Sequence, residues 1–237
     1  MDINWSVKFE GFWNRLTVKG GYKDVILGLK NTGIIAVGGL IIGIVIGTLI
    51  AVIKVIPKTN KVLSFLDKLA DLYVGFFRGT PMMVQLLLGY YVLLPMLGIN
   101  TDAVVASLII FGLNSGAYVS EIMRSGILSV DPGQMEAGRA LGMSYGSTMF
   151  KIIVPQAIKN ILPTIGNEFI SLVKETSIVS FVGAVDLYKA FRSIANANYE
   201  FMVPYLIMAL IYIVLVLLIT LGIHLMERRL KKSDRRS

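Results

Sequence analysis

Between Lys30 and Lys54 the chain carries no charged residue. A helix needs about 20 residues to cross a ~30 Å hydrocarbon core, and this run is longer. Lipid offers no partner to a backbone N–H or C=O, so each must be satisfied within the protein, which favours a helix over an open strand. Four further apolar stretches follow, and 55% of the residues are hydrophobic, with a mean hydropathy of +0.71. The expected architecture is an all-α polytopic membrane protein with five transmembrane helices, at about 25–53, 69–94, 103–120, 163–185 and 201–226. The third and fourth are only marginally long, and the fourth is the least apolar, holding Glu168, Lys174 and Glu175. The chain has no cysteine, which excludes a disulfide framework and thiol chemistry.

Residues 1–24 carry Lys8, Glu10, Arg15, Lys19 and Lys23 and lack an apolar core, so they do not read as a cleavable signal. With Phe9, Phe12 and Trp13 they read as an interfacial helix lying on the membrane. Basic residues set the orientation. The 54–68 loop, the 121–160 loop and the tail at 227–237 hold 14 of the 23 Lys and Arg, six of them Arg228, Arg229, Lys231, Lys232, Arg235 and Arg236. The other side holds seven, counting 186–200 as a loop, so the amino terminus is expected outside and the carboxyl terminus in the cytoplasm. Asp2, Glu10 and Asp24 accompany the outer lysines, and acids count little in this rule. Gly39, Gly43 and Gly47, four apart, give the first span a face that another helix can approach closely.

The loop at about 131–155 carries unusual order for a connection between spans. Asp131 is a good N-cap, Pro132 suits the first helical position, and Gln134 can complete a capping box. The helix is expected to run through Leu141, with Gly142 at the position after its end. Ser144 then caps a second helix that stops at Pro155. Spacing alone is equally compatible with a docking element and with an amphipathic loop resting on the membrane.

The segment Glu136-Ala137-Gly138-x-x-x-Gly142, followed after nine residues by Ile152-x-Val154-Pro155, resembles the EAA loop of bacterial ABC importer permeases. The family pattern has a second Ala where this chain has Gly138, and often Leu where it has Val154. Two further blocks, Phe77 to Gln85 and Pro163 to Ser177, resemble signatures of the polar amino-acid branch, and the three occur in the family's order. The resemblance implies a MetI-like type I ABC importer permease fold and a half-permease for polar amino acids in the bacterial inner membrane. It further implies two ATPase subunits docked on Glu136, Ala137, Gly138, Arg139 and Gly142, with ATP and Mg held by those subunits and no cofactor on this chain. A second permease copy and an extracytoplasmic amino-acid-binding protein complete the expected assembly; nucleic acid has no place in it.

The chain shows no phosphate-binding loop, since no Gly-Lys dipeptide occurs in it, and no zinc-protease or serine-hydrolase signature. Its single histidine, His224, lies near the end of the last span and is expected to be interfacial. Ionisable groups at membrane depth cost about 2.5–3.5 kcal/mol on insertion scales and call for partners. Lys174 lies six residues from Glu168, about 240° round a straight helix, and cannot easily neutralise it. A cationic substrate side chain would, with Asn114, Ser115, Tyr118, Gln85 and Ser171 completing a pocket. Arg78 or a backbone amide is the alternative partner. A competing class is an ion-coupled secondary transporter with Glu168, Lys174 and Glu175 as its relay.

Overall fold

The computed structural model describes residues 4–234; Asp2 and the tail's Arg235 and Arg236 lie outside the described residues. Every element among the described residues is helical. In order they are α1 (Trp5–Thr17), α2 (Gly21–Val55), α3 (Lys61–Gly79) and α4 (Met82–Leu88). A π-helical turn (Gly89–Leu93) carries α4 into Leu94–Met96, and α5 (Ala103–Leu128), α6 (Pro132–Ala140) and α7 (Tyr145–Thr148) follow. A second π turn (Met149–Ile153) leads into α8 (Val154–Glu175), which passes into a 3-10 segment (Thr176–Val182). The last elements are α9 (Leu187–Asn198) and α10 (Met202–Asp234).

By length and hydropathy α2, α5 and α10 suffice to cross a membrane, and α3 with α4 makes a fourth span if the broken pair counts as one. The break has a local cause. Thr80 is extended, and Pro81 both disfavours a helical residue before it and lacks an N–H to continue the ladder. The expected fourth span is redrawn: its helix starts at Val154, holds Pro163 in its interior, and gives way to the 3-10 segment after Glu175. The count of five is therefore approximate.

Both π turns end two residues before a proline. Leu94 N–H bonds the carbonyl of Gly89, and Val154 N–H that of Met149, each one residue wider than α geometry; Pro95 and Pro155 follow. A proline ring clashes with the carbonyl four residues back, and the wider turn moves that carbonyl away. This corrects the expectation that the second loop helix stops at Pro155: the chain continues without interruption into α8.

The described chain forms two compact units. Residues 4–39, 82–111 and 171–218 make the first. In it α9 buries Leu187, Ala190, Phe191, Ile194 and Ala195, the i, i+3, i+4, i+7, i+8 pattern of a one-faced helix. Phe12 of α1 joins Leu187, Phe191, Ile194 and Val203 in one apolar cluster, stacking on Phe191 at 6.4 Å between centroids. The expected interfacial helix thus forms, but Phe12 packs into protein, while Trp5, Phe9 and Trp13 stay exposed. Lys8 bridges to Glu200 at 2.6 Å in the same unit.

Residues 40–81, 112–170 and 219–234 make the second unit. Here α2 and α5 approach at small residues from both sides. A Cβ on Gly43 would lie 2.6 Å from Ser115 Oγ and one on Gly47 2.7 Å from Val119, while one on Gly112 would meet Ile42 at 2.6 Å. Of the glycine face read from the sequence, Gly43 and Gly47 are used for close helix contact.

Candidate functional site

The second unit gathers Asn114, Ser115 and Tyr118 of α5 and Glu168 of α8. Ser115, fully buried, donates its hydroxyl to Glu168 Oε1 at 2.9 Å. Asn114 is buried one position earlier, and its side-chain amide reaches the Phe77 carbonyl at 3.4 Å. Tyr118, one turn further along α5, lies under the Arg78 guanidinium at 5.5 Å from the ring centre. Gly43 makes this arrangement possible, because any side chain there would displace Ser115. Gln85, buried on α4, and Ser171, three residues beyond Glu168 on α8, belong to the first unit. Lys174 and Glu175 are exposed. His224 Nδ1 lies 3.0 Å from the Thr220 carbonyl on its own helix.

Arg78, the alternative partner considered for Glu168, makes its ion pair with Glu121 at 3.7 Å. Glu121 was not among the sequence's candidates, yet it is the centre of a charge cluster. It accepts from Arg124 at 2.9 Å and faces Lys54 at 3.4 Å, and Lys54 also bridges to Asp71. Glu121 and Lys54 are mostly withdrawn from solvent, with side-chain exposures of 19% and 12%. One carboxylate with three cations ties the end of α2 to α3 and α5. Only the i, i+3 spacing of Glu121 and Arg124 could have signalled it in the sequence.

The loop follows its capping rules closely. Asp131 accepts from Gly133 N–H at 2.8 Å and opens α6. At the other end Gly142, at φ +81°, donates to the Arg139 carbonyl, and Met143 N–H to that of Gly138. These two bonds close the helix in the manner of a left-handed glycine cap. Arg139 Nη1 adds a bond to the Met143 carbonyl at 2.9 Å, and Ser144 caps α7 through Ser147 N–H. The Gln134 side chain, expected in a capping box, accepts instead from Gln156 at 3.4 Å. Glu136, Ala137 and Arg139 are exposed, but Gly138 is buried. A Cβ there would lie 2.5 Å from Thr148 Cγ2, so Gly138 lets α6 lie against α7 rather than forming part of the outer face.

The loop is seated firmly. Met135 and Met149 pack on a cluster of Val130, Ile153, Ala157 and Ile161. Tyr145 donates to the Val55 carbonyl at 3.3 Å, and burial pushes its phenol above the ordinary tyrosine range. Two large apolar side chains remain outside, Leu141 at 83% and Phe150 at 73% exposure. Charged and apolar groups on a braced, outward helix suit a protein partner.

Comparison with known proteins identifies the family. Residues 39–232 match the model of the binding-protein-dependent transport system inner membrane component. The chain is 40% identical over 210 residues to the arginine transport system permease protein ArtQ of Bacillus subtilis (strain 168), covering 89% of this chain and 94% of the relative. It is 42% identical over 191 residues to the putative glutamine transport system permease protein GlnP of Rickettsia bellii (strain RML369-C), covering 81% and 85%. Among solved structures it is similar to an amino acid ABC transporter crystallised with histidines, at TM-score 0.81 and 41% identity over 90% of this chain and 97% of that one. The MetNI methionine ABC transporter, in an inward-facing conformation, shares the fold at TM-score 0.75 and 19% identity, covering 87% and 96%. Such permeases are transport subunits, and ATP hydrolysis belongs to a separate partner subunit. The chain belongs to the binding-protein-dependent transport inner-membrane component family, as a membrane permease subunit of the ABC type among relatives named for amino-acid transport.

Proposed function

We propose that this chain, paired with a second copy of itself, forms the pathway of an ATP-driven importer of polar amino acids that prefers those with a cationic side chain: arginine, lysine or histidine. Family membership displaces the ion-coupled reading, since an ABC permease draws its energy from a partner. The observation that carries the preference is the Glu168 carboxylate, held by Ser115 on a helix of the membrane domain beside Asn114 and Tyr118. A carboxylate so placed favours a cation. The relative named for arginine supports this choice, and the one named for glutamine marks the competing substrate. The test is Glu168→Gln in the reconstituted transporter, measuring stimulation of ATP hydrolysis by arginine and by glutamine. Arginine stimulation should fall at least tenfold relative to glutamine, about the effect of one charge-assisted contact. An unchanged ratio removes the proposal.

The coupling surface we propose is Glu136, Ala137, Arg139 and Gly142, with Leu141 and Phe150 flanking it and Gly138 setting its tilt. Two ATPase subunits holding ATP and Mg would dock there, in the cytoplasm, and a binding protein would deliver cargo on the outer side. The excess of basic residues on the loop side supports that orientation. A homodimer follows from the economy of closing a pathway by two-fold symmetry. A pull-down of the partner ATPase from detergent compares the wild type with Gly142→Asp. The wild type should retain the ATPase and the variant should not; failure of both to bind sinks the docking surface.

A further inference from the structure

The connection from α2 to α3 holds a polar cavity of about 480 Å³, lined by Lys58, Asn60, Lys61, Ser64, Phe65 and Lys68 among others. Three ammonium groups converge on it, and they are not equivalent. Lys58 is engaged, pairing with Asp67 at 3.0 Å and donating to the Ile53 carbonyl. Among the described residues Lys61 and Lys68 have no acidic partner. They are seven residues apart, two helical turns, and so share a face with Ser64 between them. Two unneutralised cations around a cavity with a hydroxyl make a receptor for an anion with several acceptor oxygens.

A second feature of α3 says what the anion is attached to. Val62, Phe65, Leu69, Leu72 and Phe76 are exposed at 65%, 60%, 46%, 71% and 51%. Their spacing of three and four confines them to an arc of about 80° on the helix, and Lys61 and Lys68 border that arc within about 40°. Phe65 belongs to both the stripe and the cavity lining. A ligand that satisfies the whole surface is therefore charged at one end and apolar along the rest. A free phosphate would leave the stripe uncovered. A second copy of this chain would have to bring an acid to two lysines as well as an apolar seam.

We propose that α3 binds an anionic phospholipid, its phosphate between Lys61 and Lys68 and an acyl chain along Val62, Phe65, Leu69 and Leu72. The site rests on the chain being a membrane protein and not on which amino acid it carries. Anionic headgroups gain roughly a factor of five from each nearby lysine, so charge should dominate selection.

The test titrates the purified full chain in detergent with phosphatidylglycerol, or with phosphatidylcholine of the same acyl chains, and counts bound lipid by native mass spectrometry. Glycerol 3-phosphate supplies the headgroup alone. Phosphatidylglycerol should bind about twenty-five-fold more tightly than phosphatidylcholine, and Lys61→Gln/Lys68→Gln should remove that difference. Lys61→Arg/Lys68→Arg should keep it, which separates charge from loss of fold. Equal binding of the two lipids, or an unaltered double glutamine variant, overturns the proposal. So does displacement of the lipid by equimolar glycerol 3-phosphate, which would make this a free-phosphate site. The chain has no cysteine, so Leu72→Cys supplies a single reporter. Disulfide cross-linking between copies at that position, with no lipid retained, would assign the stripe to a contact between permeases and overturn the lipid.

Discussion

Gly43 shows how one absent side chain governs a polar group two helices share. A Cβ there would stand 2.6 Å from Ser115 Oγ and 3.1 Å from the Ser115 carbonyl carbon, and the second of these cannot swing aside. Gly43→Ala should force α2 away from α5 and pull Ser115 from Glu168. Overpacking of this kind costs roughly 1–3 kcal/mol, several degrees in thermal midpoint for a chain of this size. Transport should fall with it, because the Glu168 carboxylate loses the Ser115 hydroxyl. Gly33, on the same helix, has nothing within 4 Å of its would-be Cβ. Gly33→Ala should leave the stability within about 1 kcal/mol of wild type, or raise it through helix propensity. Thermal unfolding of both variants in detergent decides the matter; equal losses would mean that the small-residue contact is not what limits the site. Gly142 is the opposite case. Nothing crowds it, but its φ of +81° is left-handed. Gly142→Ala should therefore cost about 1–2 kcal/mol through the backbone alone, read as reduced helicity of the loop rather than as a packing defect.

The helices are tied at their ends by charges, and the ties differ in kind. Glu121 faces Arg124, Lys54 and Arg78, so Glu121→Gln would leave three cations around a neutral amide. With the carboxylate 19% exposed, the loss should approach the ~3 kcal/mol seen when one partner of a withdrawn pair is removed. Asp71 is 62% exposed, and Asp71→Asn should cost under about 1 kcal/mol. Equal losses in chemical denaturation would dissolve the distinction. The tie between α1 and the start of α10 is pH-dependent. The hydrogen bond from Lys8 holds the Glu200 carboxyl below its usual range. The stabilisation is therefore present above the unfolded carboxylate value, near 4.3, and is lost as pH falls through the lower folded value. The thermal midpoint should drop over that acidic window by a degree or two more in the wild type than in Lys8→Met, since the pair is partly solvated. These ties were poorly legible in the sequence, because a charge network depends on which helices meet. The caps were legible: Asp131, Gly142 and Ser144 act on neighbours a few residues away, where local rules suffice. Pro155 misled for the same reason, since the local rule ends a helix at a proline and the π turn that admits it is set by the helix as a whole. The face of α9 was readable in the spacing of Leu187, Phe191 and Ile194, but a short polar stretch between two apolar runs reads as a loop.

At the scale of the whole molecule, the distribution of basic residues along the chain carries the proposed orientation. Fourteen basic residues fall in the segments 54–68, 121–160 and 227–237, against seven in 1–30 and 186–200. Arg and Lys near span ends resist translocation, and the orientation proposed above puts the richer side in the cytoplasm. That orientation would bring the Asp131-capped helix to the compartment where ATP is hydrolysed, with the charged cluster at Glu121 in the helix that leads to it. Local chemistry and global topology therefore make one joint demand, and it can be measured. The cysteine-free chain accepts single reporters at Thr59, Asn100 and Gly146, all at loop or exposed positions. In intact cells a membrane-impermeant maleimide should label Asn100→Cys, while Thr59→Cys and Gly146→Cys should react only after permeabilisation. Labelling of Gly146→Cys from outside would place the capped helix away from ATP, and the coupling surface proposed above would have to be abandoned together with the orientation.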